Sequence, residues 1–91
     1  MRQEDKDVVL KAIQKWGSQR QILMLLEEMS ELQKEILKNM NRGRDNLNEL
    51  IDEAADVEIM LEQFKTIYGI HQAIEERIPQ KIKKLKAKLE E

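Results

Sequence analysis

Three glycines, Gly17, Gly43 and Gly69, are the only ones in the chain, and each stands where a helical apolar stripe stops. Before Gly17, Val8, Val9, Ala12, Ile13 and Trp16 recur at helical spacing and predict a first helix over residues 5–16. After it, Ile22, Leu25, Leu26, Met29, Leu32, Ile36 and Met40 line one face of a second helix, from Ser18 to about Met40. Ser18 and Gln21 fit a capping box at its start. Gly43 can take the left-handed conformation that closes a helix. Asn46 with Glu49, or Asp45 with Asn48, suits the start of a third helix. That helix covers Leu47–Tyr68, with Leu47, Leu50, Ile51, Ala54, Val57, Leu61 and Phe64 on its inner face. Beyond Gly69, residues 71–91 are helical again, with Ile74, Ile78, Ile82, Leu85 and Leu89 as the seam. Pro79 removes one helical hydrogen bond and predicts a kink or break near Ile78.

This punctuation implies an all-α fold. The short connection around Gly43 makes helices two and three antiparallel neighbours, and the whole reads as a four-helix bundle, one domain over residues 1–91. Helix formers dominate, aromatic residues are 3%, and 37% of residues are charged. So short a chain buries a modest core, and a homo-oligomer is expected. The chain has no cysteine, which excludes disulfides and zinc–thiolate sites. A net charge of −2 gives no general attraction to nucleic acid, and no nucleic-acid partner is expected. No apolar run approaches the roughly 20 residues needed to span a bilayer. The first residues lack the apolar core of a signal peptide, so a cytoplasmic, membrane-free protein is expected.

Carboxylates interrupt the apolar pattern in two places. Glu28 and Glu31 stand three residues apart on helix two, and Glu53 and Asp56 three apart on helix three. Residues at that spacing are neighbours on a helix face. Glu28, Glu31 and Glu35 run along one edge of the apolar face, with Met24 among them, while Glu27 turns toward the solvent side near Lys34. Glu53 projects between Val57 and Met60, inside the apolar arc, where a carboxylate is costly unless paired or metal-bound. Glu31 lies 12 residues before Gly43 and Asp56 lies 13 after, so they stand at nearly one height in an antiparallel pair. Four oxygen donors converging from two helices suit a hard cation such as Mg²⁺, which would in turn hold a nucleotide's phosphates.

The combination Glu27-Glu28-x-x-Glu31 followed, after 21 intervening residues, by Glu53-x-x-Asp56 resembles the signature of the MazG-like nucleotide pyrophosphohydrolases. These are a branch of the all-α NTP pyrophosphohydrolases. The resemblance extends from about Lys15-Trp16-Gly17 to the basic last helix. It implies a MazG-like four-helix bundle assembled as a homodimer or homotetramer. It also implies Mg²⁺-dependent hydrolysis of a nucleoside triphosphate between the α and β phosphates, giving a monophosphate and pyrophosphate, with Mn²⁺ as an alternative metal. The cellular role implied is nucleotide-pool control or house-cleaning. By the same resemblance Glu28, Glu31, Glu53 and Asp56 are metal ligands and catalytic residues, and Glu27 is an accessory carboxylate that orients water. Such enzymes also use a lysine, and often an asparagine, after the second motif. Here no asparagine follows Asp56, and the lysines available are Lys65, Lys81 and Lys84.

Several residues carry two readings. Lys81 and Lys84, with Arg77, either complement the C-terminal dipole of the last helix or reach substrate phosphates. Arg42 and Arg44 on the central turn are either solvated or phosphate contacts. Trp16 is either a core or interface anchor or a base-stacking surface, and Trp16 and Met24 are the candidate base pocket. His71 is expected at the surface or as a helix cap. The alternative to an enzyme is a non-catalytic helical interaction module whose carboxylates pair with lysines of a neighbouring chain.

Overall fold

The chain forms four α-helices: α1 (Gln3–Trp16), α2 (Ser18–Arg42), α3 (Leu47–Tyr68) and α4 (His71–Leu89). The computed structural model describes residues 1–43 and 45–91, and no strand occurs among them. Arg44, a candidate phosphate contact, lies outside the described residues. The helices follow the glycine punctuation closely. Gly43 (φ 62°) and Gly69 (φ 63°) both adopt the left-handed conformation expected of them. At Gly69 the Ile70 N–H donates to the Lys65 carbonyl at 3.0 Å and the Gly69 N–H to the Thr66 carbonyl at 3.2 Å, which satisfies two end carbonyls of α3.

The helix starts differ from expectation. The Arg2 N–H donates to Asp5 at 3.2 Å, so α1 begins at Gln3, two residues early. Ser18 is the first residue of α2 rather than its cap. Gly17 holds the cap position, no side chain caps the helix, and Gln21 is buried instead. Asn46 does precede α3, yet its side chain turns back to α2. Its Nδ2 donates to the Glu35 carbonyl at 2.9 Å and to Glu35 Oε2 at 2.7 Å, and its Oδ1 accepts from Asn39 Nδ2 at 3.1 Å. Asn46 thereby ties the two helices together across the turn. Pro79 lies inside α4 without ending it.

Packing divides the helices unequally. α2 and α3 form the main pair, and α1 crosses both. The buried apolar residues are Val9, Leu25 and Met60, one from each of these three helices, joined by buried Gln21 and Gln63. The apolar faces expected to point inward are largely open. Leu26, Met29, Ile36 and Met40 on α2, and Leu47, Ile51, Ala54 and Leu61 on α3, are exposed. Rotation explains only part of this: Leu26 lies about 100° from the line of Leu25 that meets α3, whereas Met29 and Ile36, about 40° and 20° from that line, are exposed because no further helix of the chain covers that side. The packed unit of one chain is therefore three helices. α4 buries no residue and makes at most slight contact with the others. No described helix is long and apolar enough to cross a membrane.

Candidate metal centre

Glu28 on α2 and Glu53 and Asp56 on α3 each present a carboxylate oxygen, and the three oxygens lie within 4.8 Å of one another. Glu53 is held there by the helical turn: it lies close to the line of buried Met60. Its Oε2 is buried and has no hydrogen-bond partner among the described residues. An ionised oxygen so placed is costly unless a proton or cation meets it. Glu28 responds to the same crowding. Burial, followed by the charges of Asp56 and Glu53 and hydrogen bonds a protonated Glu28 can make to them, pushes its carboxyl above the usual glutamate range.

Glu31 does not join this group. It pairs with Lys34 at 3.5 Å, and its side chain is 51% exposed. Its height in the hairpin matches Asp56, but its direction does not. From the buried line of Leu25, Glu28 is turned by about 60° and Glu31 by about 120°. Glu27 is exposed as well. Glu27, Glu28 and Glu31 share a shallow depression of about 490 Å³ on the outer side of α2, bordered by Leu23, Leu26 and Ser30. Glu28 thus belongs both to the three-carboxylate cluster and to this depression.

The other candidates are dispersed. Met24 stands one turn from Glu28 on α2, half-buried, with the Gln21 amide nitrogen 3.7 Å from its sulfur. Trp16 is 52% exposed at the end of α1, with Lys15 Nζ 5.5 Å from its ring centroid. Lys81 and Lys84 are exposed on α4, away from the packed helices. His71 is more engaged than a surface residue: its Nε2 lies 2.7 Å from Glu62 Oε1 and links α4 to α3. Sequence reading missed Gln63, whose Oε1 is buried with no partner among the described residues. Its position one turn beyond Met60, along the line from Asp56, is the signal that places it in the seam.

The donor set fits a hard divalent cation. Its oxygens come from three carboxylates on two helices, and one of them is buried and otherwise unpartnered. No protein-family model matches the chain, and no curated protein or solved structure matches it.

Proposed function

We propose that the chain is a Mg²⁺-dependent nucleoside triphosphate pyrophosphohydrolase of the MazG-like kind, active as a homodimer or homotetramer in nucleotide-pool control or house-cleaning. The observation that carries this reading is the convergence of Glu28, Glu53 and Asp56 around the partnerless Glu53 Oε2. Glu28, Glu53 and Asp56 would hold the ion, with Glu31 outside the group, beside Glu28 on the shallow depression. A divalent ion held there, Mg²⁺ or Mn²⁺, supplies positive charge against the triphosphate and against the departing pyrophosphate.

In the reaction, water oxygen bonds to the α-phosphorus and the bond from that phosphorus to the bridging oxygen breaks. Pyrophosphate leaves with the bridging oxygen. Glu27, exposed on the same depression as Glu28, is suited to orient the water and accept its proton. Rigid placement on two packed helices is the protein's main contribution, since such transfers need positioning and charge more than covalent help. Lys81 and Lys84 on α4 are the phosphate contacts that the resemblance suggests, although α4 stands away from the cluster within one chain.

Product analysis tests the reading. Purified protein is incubated with Mg²⁺ and a panel of nucleoside triphosphates, with and without EDTA, and the products are separated by ion exchange. Monophosphate plus pyrophosphate, abolished by EDTA, is expected. Diphosphate plus orthophosphate would place the cleavage at another bond. No turnover, with no rise in Tm on adding Mg²⁺, would favour the helical interaction module, which the exposed apolar faces also suit.

A further inference from the structure

We infer that α4 of one copy exchanges onto a second copy, where its apolar seam fills the open groove on the α2 face beside α3. The chain is too extended to be complete alone. It exposes 7619 Å², whereas a compact monomer of its mass exposes about 5,500 Å². Its radius of gyration is 16.1 Å, against about 12 Å for a compact chain of this length. The surplus of about 2,100 Å² per chain, buried in a pair, gives about 4,200 Å², within the range of obligate homodimers.

Two unpartnered apolar surfaces account for the surplus, and they fit each other. On α4, Ile78, Ile82, Leu85 and Leu89 are all more than half exposed. On the α2 face beside α3, a groove of about 480 Å³ is lined by Leu26, Met29, Leu32, Ile36 and Leu37, with Val57 from α3. The seam from Ile74 to Leu89 is about 22 Å long and the α2 face from Leu26 to Met40 about 21 Å. One two-fold exchange covers both surfaces, while hairpin-on-hairpin packing leaves α4 bare. Charge points the same way. α4 carries six cations and two carboxylates, whereas residues 1–70 carry ten cations and fourteen carboxylates. Pairing α4 with a second α4 sets like charges together, whereas the body of another copy carries a net opposite charge. The groove and the carboxylate cluster also lie on opposite sides of the α2–α3 seam. On α2, Leu26 is turned about 100° one way from Leu25 and Glu28 about 60° the other way. Exchange therefore leaves the Glu28–Glu53–Asp56 side of α2 uncovered, while Leu26 and Ser30 border both the groove and the depression beside Glu27.

The absence of cysteine makes the test direct. Full-length chains carrying Ile82→Cys and full-length chains carrying Ile36→Cys, distinguished by a mass tag, are mixed, dissociated, reassociated and mildly oxidised. The neighbouring pairs Ile78→Cys with Met29→Cys and Leu85→Cys with Leu37→Cys sample register. The expected result is a mixed disulfide between an α4 cysteine and an α2 cysteine in at least one pair, formed severalfold faster than in single-variant controls. Faster joining of two α4 cysteines, or of two α2 cysteines, would overturn the exchange, as would a monomer by analytical ultracentrifugation of the unmodified chain. Ile82→Glu adds a readout without thiols: it is expected to abolish the dimer, and an undiminished dimer would count against the seam.

Discussion

The α2–α3 pair has two faces whose chemistry is the reverse of what burial alone would select. The seam between the helices holds Leu25 and Met60 but also Gln21, Gln63 and part-buried Glu53. The open face beside it is rich in leucine, isoleucine and methionine. Hydrophobic burial stabilises a fold in proportion to area removed from water, so a chain optimised as a monomer would place these residues the other way round. On the proposed reading, the contrast assigns the site to the polar seam and the association of copies to the open apolar face.

The largest expected effect lies in the seam. Glu53→Gln replaces a carboxylate oxygen of the cluster with an amide while keeping the shape of the side chain. Activity should fall by more than the roughly 10–100-fold typical of losing a group that merely supports a metal ligand. The Tm in metal-free buffer should hold or rise, because one of three crowded carboxylates is gone, and stabilisation by Mg²⁺ should shrink. Steady-state kinetics with paired melting curves decide this. Turnover near the wild-type rate would remove Glu53 from the site and weaken the idea that the seam is built for chemistry.

A neighbouring pair of leucines sharpens the contrast directly. Leu25 is 5% exposed and Leu26 is 57% exposed in one chain. Leu25→Ala should cost about 2–5 kcal/mol of folding stability, as for other buried leucines, and leave the association constant nearly unchanged. Leu26→Ala should instead weaken association, seen as dissociation at higher concentration in ultracentrifugation. If Leu26→Ala changes neither association nor Tm, the open face is merely solvated and the comparison fails.

The end of the seam gives a smaller effect. Asn46 is buried and supplies two donors to Glu35. Asn46→Ala should cost about 1–3 kcal/mol, the range for removing a partner from a buried polar group. Asn46→Asp should cost at least as much, since it sets a second carboxylate against Glu35. Denaturant titration measures both. A neutral Asn46→Asp would mean that the hairpin is held by its apolar contacts alone.

These cases mark what the sequence made legible. The four helices and the ends of α3 follow from glycines and apolar spacing, because left-handed helix ends and 3.6-residue periodicity are local properties. The convergence of Glu28 with Glu53 and Asp56 was legible too, since Glu53 stands inside an apolar arc. The place of Glu31 was not: height along a hairpin can be counted from the turn, but rotation depends on which line of each helix meets the other. That choice turns on Leu25, Gln21, Met60 and Gln63, and a pattern of hydrophobicity alone favours the Leu26–Met29 face instead. Asn46 was legible as a helix-start residue but not as a clamp on Glu35, for its donors can serve either role and tertiary packing decides.

The smallest effect tests the seam by its protonation. Burial, and then the carboxylates of Asp56 and Glu53, hold the Glu28 carboxyl above the usual glutamate range. The folded chain thus binds this proton more tightly than the unfolded chain does. Glu28 therefore favours the fold fully at pH below the ordinary glutamate value of about 4.3, and this contribution is lost as pH rises through the raised folded value. A glutamine does not titrate. In metal-free buffer the Tm difference, wild type minus Glu28→Gln, should accordingly fall as pH rises from that point and then level off. Mg²⁺ should offset the fall, because the deprotonated carboxylate that destabilises the empty cluster is the form that ligates a cation. The same melting series with Ca²⁺ in place of Mg²⁺ asks how strictly the cluster selects the smaller ion. A difference that stays flat with pH, with and without Mg²⁺, would mean that Glu28 sits in solvent like Glu31, and the line dividing the working seam from the associating face would have to be redrawn through α2.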